Sequence, residues 1–347
     1  MSRLLLVVLL AFVRGGAFAQ TPASPSAPPP RPALLTTAEQ QDSEIEVVET
    51  NLSTILMTVT DKKGKLLTDL LPTDIRVYED GVEQRVSVFE RETQRPLSLA
   101  LVFDVSASQR QTLPDQREAA GLFIRSVFRP ESDRATVVSF AGAAFLQQPF
   151  TNDLARLDEA IAQVGAGSPA ARLGQPRPPE PDATPPPFRI GGGTAIYDAL
   201  FLTCYKVLTK AQPNSRRALI LLSDGLDNES RLSPRDAVNG AAYANAVVYS
   251  IGIGGHIINK DALQYVSEET GGHAFFPEDA GDLRKAFARI ERELRSQYLI
   301  AYTPTNKSHD GKRRAVRVEI VNPLLAKDKV RLAYRDYYYV AKSARAR

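Results

Sequence analysis

The sequence predicts an α/β protein with a doubly wound, mainly parallel central sheet and a small flanking β module built from N- and C-terminal strands. Three observations support this fold class. Between residues 96 and 296, apolar strands alternate with helical patterns, which favours a parallel sheet with helices on both faces. Shorter strands of alternating character stand on either side, at 44–93 and 297–340. At 347 residues, the chain has room for one large domain and smaller appendages.

Residues 1–19 have the layout of a secretory signal peptide. Arg3 precedes an apolar run, and Ala17 and Ala19 form an A-x-A cleavage site before Gln20. The run is shorter than the ~20 apolar residues of a membrane-spanning helix, although a buried N-terminal helix is the other interpretation. We therefore expect an exported protein, periplasmic or extracellular, with no membrane span in its mature chain.

Two stretches contain too much proline for a helix or a sheet. Residues 20–43 predict an extended, solvated tether. Residues 165–190 predict a surface insertion directly before Gly191. The insertion either shapes or shields a neighbouring ligand site, or it is a tolerated loop expansion, because long surface insertions cost little free energy.

The N-terminal β unit, residues 44–93, contains about four short strands. The Asp80–Gly81 pair predicts a tight hairpin turn from a strand at 75–78 into one at 86–89. We expect this unit to pack with the strands of 297–340 into one discontinuous β module. A separate C-terminal hairpin is the alternative.

In the α/β region, near-continuous apolar strands of the kind buried on both faces alternate with amphipathic helices. The segment 145–150 is expected to fold back on the strand before it, and Asn152 is expected to cap the helix that follows. Ligands of such sheets bind beyond the carboxyl ends of the strands. The predicted strands are 97–103, 135–140, 145–150, 218–223, 247–253 and 273–276, and the predicted helices are 113–128, 153–164, 194–209, 234–245, 260–269 and 279–296.

The end of the first parallel strand carries side chains suited to a metal ion. Asp104 is followed by hydroxyls at Ser106 and Ser108, and alternate residues of an extended loop can direct their oxygens to one point. Such oxygen ligands suit Mg²⁺, Ca²⁺ or Mn²⁺ rather than zinc. By itself, the pattern is equally compatible with an ordinary polar turn.

Two further segments strengthen the metal interpretation. Gly191–Gly193 let the backbone pass close to a ligand, and Thr194 offers a hydroxyl at the start of a helix. Asp224 ends another apolar strand and is followed by Gly225. Two strand ends and one helix start would then face one crevice. The polar residues 227–229 either tune the charge of the metal site or form a solvated loop, and the solvated loop is the favoured interpretation.

The motifs DVSAS, GGGTAIYDAL and ILLSDG resemble the three metal-site loops of the von Willebrand factor A (VWA) family. The resemblance spans about residues 96–296 and implies the Rossmann-like VWA fold with an intact metal-ion-dependent adhesion site (MIDAS). In that family the serines bind the metal directly, the threonine binds directly or through water, and the aspartates often act through water. One coordination position stays open for a carboxylate of the partner. The implied metal-site residues are Asp104, Ser106, Ser108, Thr194 and Asp224.

The stretches on either side of this region resemble a narrower group. VTDKKGKLLTDLLPTDIRVYEDGVEQRVSVFE before it and YLIAYTPTNKSHDGKRRAVRVEI after it are similar to bacterial A-domain proteins typical of acidobacteria. This resemblance implies an arrangement of domains and leaves the partner open.

Composition and absent motifs bear on the class of function. The net charge is +3 with both signs abundant, so no nucleic-acid partner is expected. The single cysteine, Cys204, rules out an intramolecular disulfide and is expected in the core. The sequence has no phosphate-binding loop and no nucleophile elbow, and His256, His273 and His309 have no companion at metal-ligand spacing.

The favoured hypothesis is a non-enzymatic adhesion or protein-interaction module. It would bind an Asp or Glu carboxylate of a protein partner through a divalent cation, preferably Mg²⁺. The alternative is an envelope structural or assembly protein in which the metal only stabilises the loops. An enzyme has the least support, because no nucleophile–base pair or cofactor loop is visible. The partner's identity and the oligomeric state stay open.

Overall fold

The computed structural model describes residues 52–91, 95–166, 171–173, 193–254 and 257–340. The predicted signal peptide, the tether, the start of the N-terminal β unit, most of the proline-rich insertion, Gly191, Gly192 and His256 lie outside the described residues. In chain order, the described strands and α-helices are β1 (Ser53–Thr60), β2 (Ile75–Glu79), β3 (Val82–Gln84), β4 (Val86–Arg91), β5 (Leu97–Asp104), α1 (Leu113–Val127), β6 (Arg134–Phe140), β7 (Ala144–Thr151), α2 (Leu154–Gln163), β8 (Ala171–Arg172), α3 (Ile196–Leu202), β9 (Arg216–Ser223), α4 (Pro234–Tyr243), β10 (Ala246–Gly252), α5 (Lys260–Glu268), β11 (Ala274–Phe275), α6 (Ala280–Leu294), β12 (Tyr298–Tyr302), β13 (Arg313–Ile320), α7 (Pro323–Lys327), β14 (Arg331–Ala333) and β15 (Tyr337–Tyr339).

The central sheet has the strand order β11-β10-β9-β5-β6-β7-β8. From β11 to β6 all neighbours are parallel, whereas β7 runs antiparallel to β6 and β8 runs antiparallel to β7. Every residue of β5 is buried, as expected for a strand covered on both faces. The predicted fold-back of β7 onto β6 is confirmed.

An apolar core lies on each face of the central sheet. Helices α1, α2 and α6 cover one face, where Phe123 and Phe287 pack together. Helices α3, α4 and α5 cover the other face with residues such as Leu200 and Val238, and Cys204 is buried there, as predicted. The doubly wound, mainly parallel arrangement is therefore confirmed. No helix within the described ranges is long and apolar enough to cross a bilayer.

Two four-stranded antiparallel sheets flank the central one, in the orders β14-β1-β12-β4 and β15-β13-β2-β3. Each sheet joins strands from both ends of the chain, for example β1 with β12 and β2 with β13. Met57, Val77 and Ile300 belong to a third apolar core shared by the two sheets. The N- and C-terminal strands thus form the predicted flanking module and not a separate C-terminal hairpin.

The hairpin predicted at Asp80–Gly81 has a different second strand. Both residues have positive φ, at 46° and 84°, as a tight two-residue turn requires. The turn leads from β2 into β3, and not into the strand predicted at 86–89. After β3 the chain passes to the other flanking sheet, where β4 pairs with β12.

Two helix starts also differ from the prediction. Asp153, and not Asn152, caps α2 by accepting a hydrogen bond from the backbone N–H of Ala155 at 2.9 Å. Asn152 instead donates to the carbonyl of Pro130. The helix predicted from residue 194 begins at Ile196 and changes to a π-helical turn at Thr203.

Candidate metal-binding site

The site begins at the carboxyl end of β5, in the middle of the central sheet. Asp104 is the last residue of β5 and is fully buried. One carboxylate oxygen accepts a hydrogen bond from the backbone N–H of Ser106 at 2.9 Å, and the other accepts one from the Ser223 hydroxyl at 2.7 Å. Since Ser223 ends the neighbouring strand β9, Asp104 ties two strand ends together.

A row of hydroxyls continues from the Asp104 loop to Asp224. The Oγ atoms of Ser106 and Ser108 lie 3.1 Å apart. Ser108 Oγ then donates to Asp224 Oδ2 at 2.6 Å. Four of the five residues singled out from the sequence are therefore joined in one hydrogen-bonded run.

Thr194, the fifth residue, lies buried in the segment that leads into α3. Its N–H donates to Asn228 Oδ1 at 2.7 Å, and its carbonyl accepts the N–H of Asn228 at 3.0 Å. The next residue, Ala195, donates to the carbonyl of Ala141, directly after β6. Because β6 pairs with β5, this places Thr194 at the same edge of the sheet. No hydrogen bond among the described residues joins its side chain to the other four.

The electrostatic environment of the Asp104 carboxylate is unfavourable to negative charge. Burial raises the pKa of Asp104 above its ordinary value, and the charge of Asp224 raises it further, against the opposing hydrogen bonds from Ser106 and Ser223. In the part of the chain that the structure describes, no Lys, Arg or His forms an ion pair with either carboxylate. A bound cation would relieve this repulsion.

Two family models cover the region that contains this site. A von Willebrand factor type A domain model matches residues 99–226, and a second model of the same description matches residues 187–289. The chain contains a von Willebrand factor type A domain. This A domain holds the central sheet and all five residues of the candidate site.

Comparisons with individual proteins give partial likenesses to the A domain. The chain is 30% identical to calcium-activated chloride channel regulator 1 of Bos taurus over 105 aligned residues. The aligned segment makes up 30% of this chain and 11% of the regulator. Proximal thread matrix protein 1 from the mussel byssus, in a form with a zinc-occupied MIDAS motif, is 22% identical, with a TM-score of 0.45 over 62% of this chain and 49% of that one. A von Willebrand factor type A structure from Catenulispora acidiphila is 14% identical, with a TM-score of 0.44 over 78% and 73% of the two chains. The chain thus spans about a tenth of the regulator and about half of the mussel protein.

Two glutamines that the sequence analysis missed also contribute hydrogen bonds to the candidate site. Gln109 Nε2 donates to Asp224 Oδ2 at 3.0 Å, and Gln116 Nε2 donates to Gln109 Oε1 at 2.9 Å. Both glutamines are fully buried. Gln116 lies on α1, so this pair connects the site to a helix. Gln109 directly follows DVSAS, and a polar residue on the buried face of α1 was the available signal.

The loop after Asp224 is partly solvated, with Asn228 exposed and Asp227 half-buried, and its side chains also support the segment that leads into α3. Asp227 Oδ1 accepts the N–H of Ile196 at 2.8 Å, so it caps the start of α3, while Asn228 holds Thr194. A Cβ at Gly193 would lie within 2.6 Å of side-chain atoms of Asn228 and Glu229, so both side chains would have to move to admit it. These contacts hold the backbone of 193–195 away from helical geometry, which is why α3 starts after Thr194.

The donor atoms of the A domain fit a hard divalent cation. Among the described residues, no group of three or more His, Cys, Asp or Glu side chains could hold a metal ion. The candidate site offers instead two carboxylates with serine and threonine hydroxyls. Oxygen donors of this kind match Mg²⁺, Ca²⁺ and Mn²⁺ better than soft metals.

Proposed function

We propose that the protein is exported and captures a protein partner through a divalent cation held by Asp104, Ser106, Ser108, Thr194 and Asp224. The cation is Mg²⁺ for preference, with Ca²⁺ and Mn²⁺ as alternatives. An Asp or Glu carboxylate of the partner completes the coordination, as the resemblance to MIDAS sites implies. The signal-peptide pattern at residues 1–19 supports a periplasmic or extracellular location.

The observation that carries this proposal is the hydrogen-bonded run from Asp104 to Asp224. It gathers four oxygen-bearing side chains from two strand ends, although Ser108 and Asp224 are 116 positions apart in the sequence. Hydroxyl ligands are neutral. If the aspartates contact the cation only through water, the ligands bound directly to the cation leave most of its positive charge uncompensated. An incoming carboxylate is then favoured electrostatically.

A purely structural metal is the competing function. It would stabilise loops in an envelope assembly protein without taking a ligand from a partner. The bond from Ser223 to Asp104, at 2.7 Å, and that from Ser108 to Asp224, at 2.6 Å, already connect the loops through protein groups. Joining the strand ends therefore does not require a metal, which favours partner capture. No catalytic role is proposed.

The test combines metal titration with partner capture. Calorimetric titration with Mg²⁺ and Mn²⁺ should show one saturable site in the wild-type chain and none in Asp104→Ala. Capture from envelope extract should require Mg²⁺, disappear with EDTA and disappear in Asp104→Ala. The matched control is Asp115→Ala, which removes an exposed acid from the first turn of α1. Capture that survives both EDTA and Asp104→Ala would refute the proposal, and metal binding without metal-dependent capture would favour the structural alternative.

A further inference from the structure

A second polar cleft opens at the end of the central sheet opposite to the metal site. Strands β9 and β10 are parallel, so Ala246 pairs with Arg217 at one end and Gly252 pairs with Ser223 at the other. The cleft lies at the Ala246 end, between the A domain and the two flanking sheets. It encloses about 410 Å³ when its open mouth is included. Its lining includes the polar residues Ser53, Asn245, Thr270, Tyr302, Arg335 and Tyr338.

Arg335 is the unusual member of this lining. Its guanidinium donates three hydrogen bonds: Nε to the Tyr337 carbonyl at 2.8 Å, Nη1 to the Ala242 carbonyl at 3.2 Å, and Nη2 to Asn245 Oδ1 at 3.2 Å. All three acceptors are neutral. Because a guanidinium has five N–H donors, one N–H remains on each terminal nitrogen.

No acidic side chain among the described residues forms an ion pair with Arg335. Burial lowers the pKa of its guanidinium, and no carboxylate raises it. Arginine nevertheless stays protonated at physiological pH, so its charge is retained in a half-buried place. Arg314 shows the contrast: its side chain is 4% exposed, and it pairs with Asp310 at 3.0 Å and with Asp80 at 3.8 Å.

The far wall of the cleft limits which anions fit. The hydroxyls of Tyr302 and Tyr338 both donate to Glu79 Oε2, at 2.9 and 2.7 Å. Glu79 is buried, and its negative charge behind these tyrosines disfavours a second anionic group on that side. A ligand with one negative group at the Arg335 end therefore suits the cleft better than a dianion.

We propose that this cleft binds a small monocarboxylate, whose two oxygens accept the remaining N–H groups of Arg335. A guanidinium matches the spacing of the two oxygens of a carboxylate, so the contact selects for shape as well as for charge. The site is separated from the metal site by the length of the central sheet and is independent of the proposed function.

Acetate is the probe for this proposal, with chloride at equal ionic strength as the reference and sulfate as the dianion. In the full chain, the thermal unfolding midpoint should rise saturably with acetate. Sulfate should give only the non-saturating rise of an excluded salt, and chloride should give no saturable rise. Arg335→Met should abolish the acetate-specific rise. Arg217→Met is the matched control, because Arg217 also donates to a backbone carbonyl at this end of the sheet, that of Ala244 at 2.8 Å, but does not line the cleft.

A second variant keeps the test decisive if Arg335→Met folds poorly. Arg335→Lys retains the charge and loses the forked geometry, so its apparent affinity for acetate should fall by about tenfold. Circular dichroism reports separately on whether each variant is folded. The proposal is overturned if the wild-type chain shows no acetate-specific saturable rise, or if both Arg335 variants respond to acetate as the wild type does.

Discussion

Charges of opposite sign lie at the two ends of the central sheet, buried at the metal site and half-buried at the cleft. At the carboxyl ends of the strands, Asp104 and Asp224 lie together without a basic partner among the described residues. At the opposite end, the acceptors that Arg335 reaches among the described residues are all neutral. Elsewhere the fold compensates a buried charge: Glu293 is 1% exposed and meets Arg289 at 2.7 Å and His273 at 2.9 Å.

This difference separates structural charges from candidate ligand-binding charges. Burying a charge without a partner costs free energy, so a fold gains stability by pairing or removing it. The charges that stay unpaired at both ends of the sheet are those that a metal ion or a carboxylate would neutralise. The absence of a partner, more than burial itself, therefore distinguishes the two proposed sites from the ion pair at Glu293.

The largest expected effect comes from Asp104→Asn, which removes the charge and keeps the shape. Mg²⁺ affinity should fall by at least about 100-fold, because the cation loses a carboxylate at the centre of its site. In EDTA, the variant should be as stable as the wild type, because no ion pair is lost. The asparagine oxygen can still accept the Ser106 N–H, and its NH₂ group can donate to the Ser223 hydroxyl, which rotates to accept. Calorimetry measures the first effect, and chemical unfolding measures the second.

Glu293→Gln is the control for this comparison, since it makes the same change at a paired carboxylate. It should destabilise the fold by about 2 kcal/mol by leaving Arg289 without its partner. Mg²⁺ affinity should not change. Equal destabilisation of the two variants in EDTA would contradict the distinction between paired and unpaired buried carboxylates.

Gln109→Leu should have an intermediate effect. Gln109 donates to Asp224 Oδ2 at 3.0 Å and so fixes the orientation of that carboxylate. Its loss should weaken Mg²⁺ binding by about tenfold, as is usual for residues that orient metal ligands. The fold should also lose about 1 to 3 kcal/mol, because Gln116 is left with an unsatisfied buried donor.

Gln116→Leu separates these two consequences. It removes the bond to Gln109 and leaves the contact between Gln109 and Asp224 in place. We expect a similar loss of stability with a smaller loss of Mg²⁺ affinity. If the two variants lower the affinity equally, the role assigned to Gln109 in orienting Asp224 is wrong.

The sequence predicted the elements with local signals and the joining of the terminal strands into one module, and it missed side-chain contacts that depend on packing. Asp104 and Asp224 each follow a run of apolar residues, so a strand ending in a carboxylate can be read directly. The contact of Gln109 with Gln116 depends on how α1 packs against the loop after β5. Arg335 is one of many basic residues in the sequence, and its burial arises only where the segment before β15 meets α4. The switch of sheet after β3 likewise depends on pairing with β12, far along the chain.

The smallest expected change in Mg²⁺ affinity concerns Thr194. The sequence predicted this residue at the site, and in the structure its backbone is hydrogen-bonded to Asn228. Asn228→Ala removes the 2.7 Å bond to the Thr194 N–H, so the Thr194 hydroxyl should lose part of its positioning. Because a single neutral hydroxyl contributes less to binding a cation than a carboxylate does, Mg²⁺ affinity should fall only about threefold. Thr194→Val, which removes the hydroxyl and keeps the shape, should weaken binding by at least as much. If Asn228→Ala has no effect while Thr194→Val does, other contacts position Thr194. If neither variant changes the affinity, Thr194 is not a ligand, and the site consists of the hydrogen-bonded run from Asp104 to Asp224 alone.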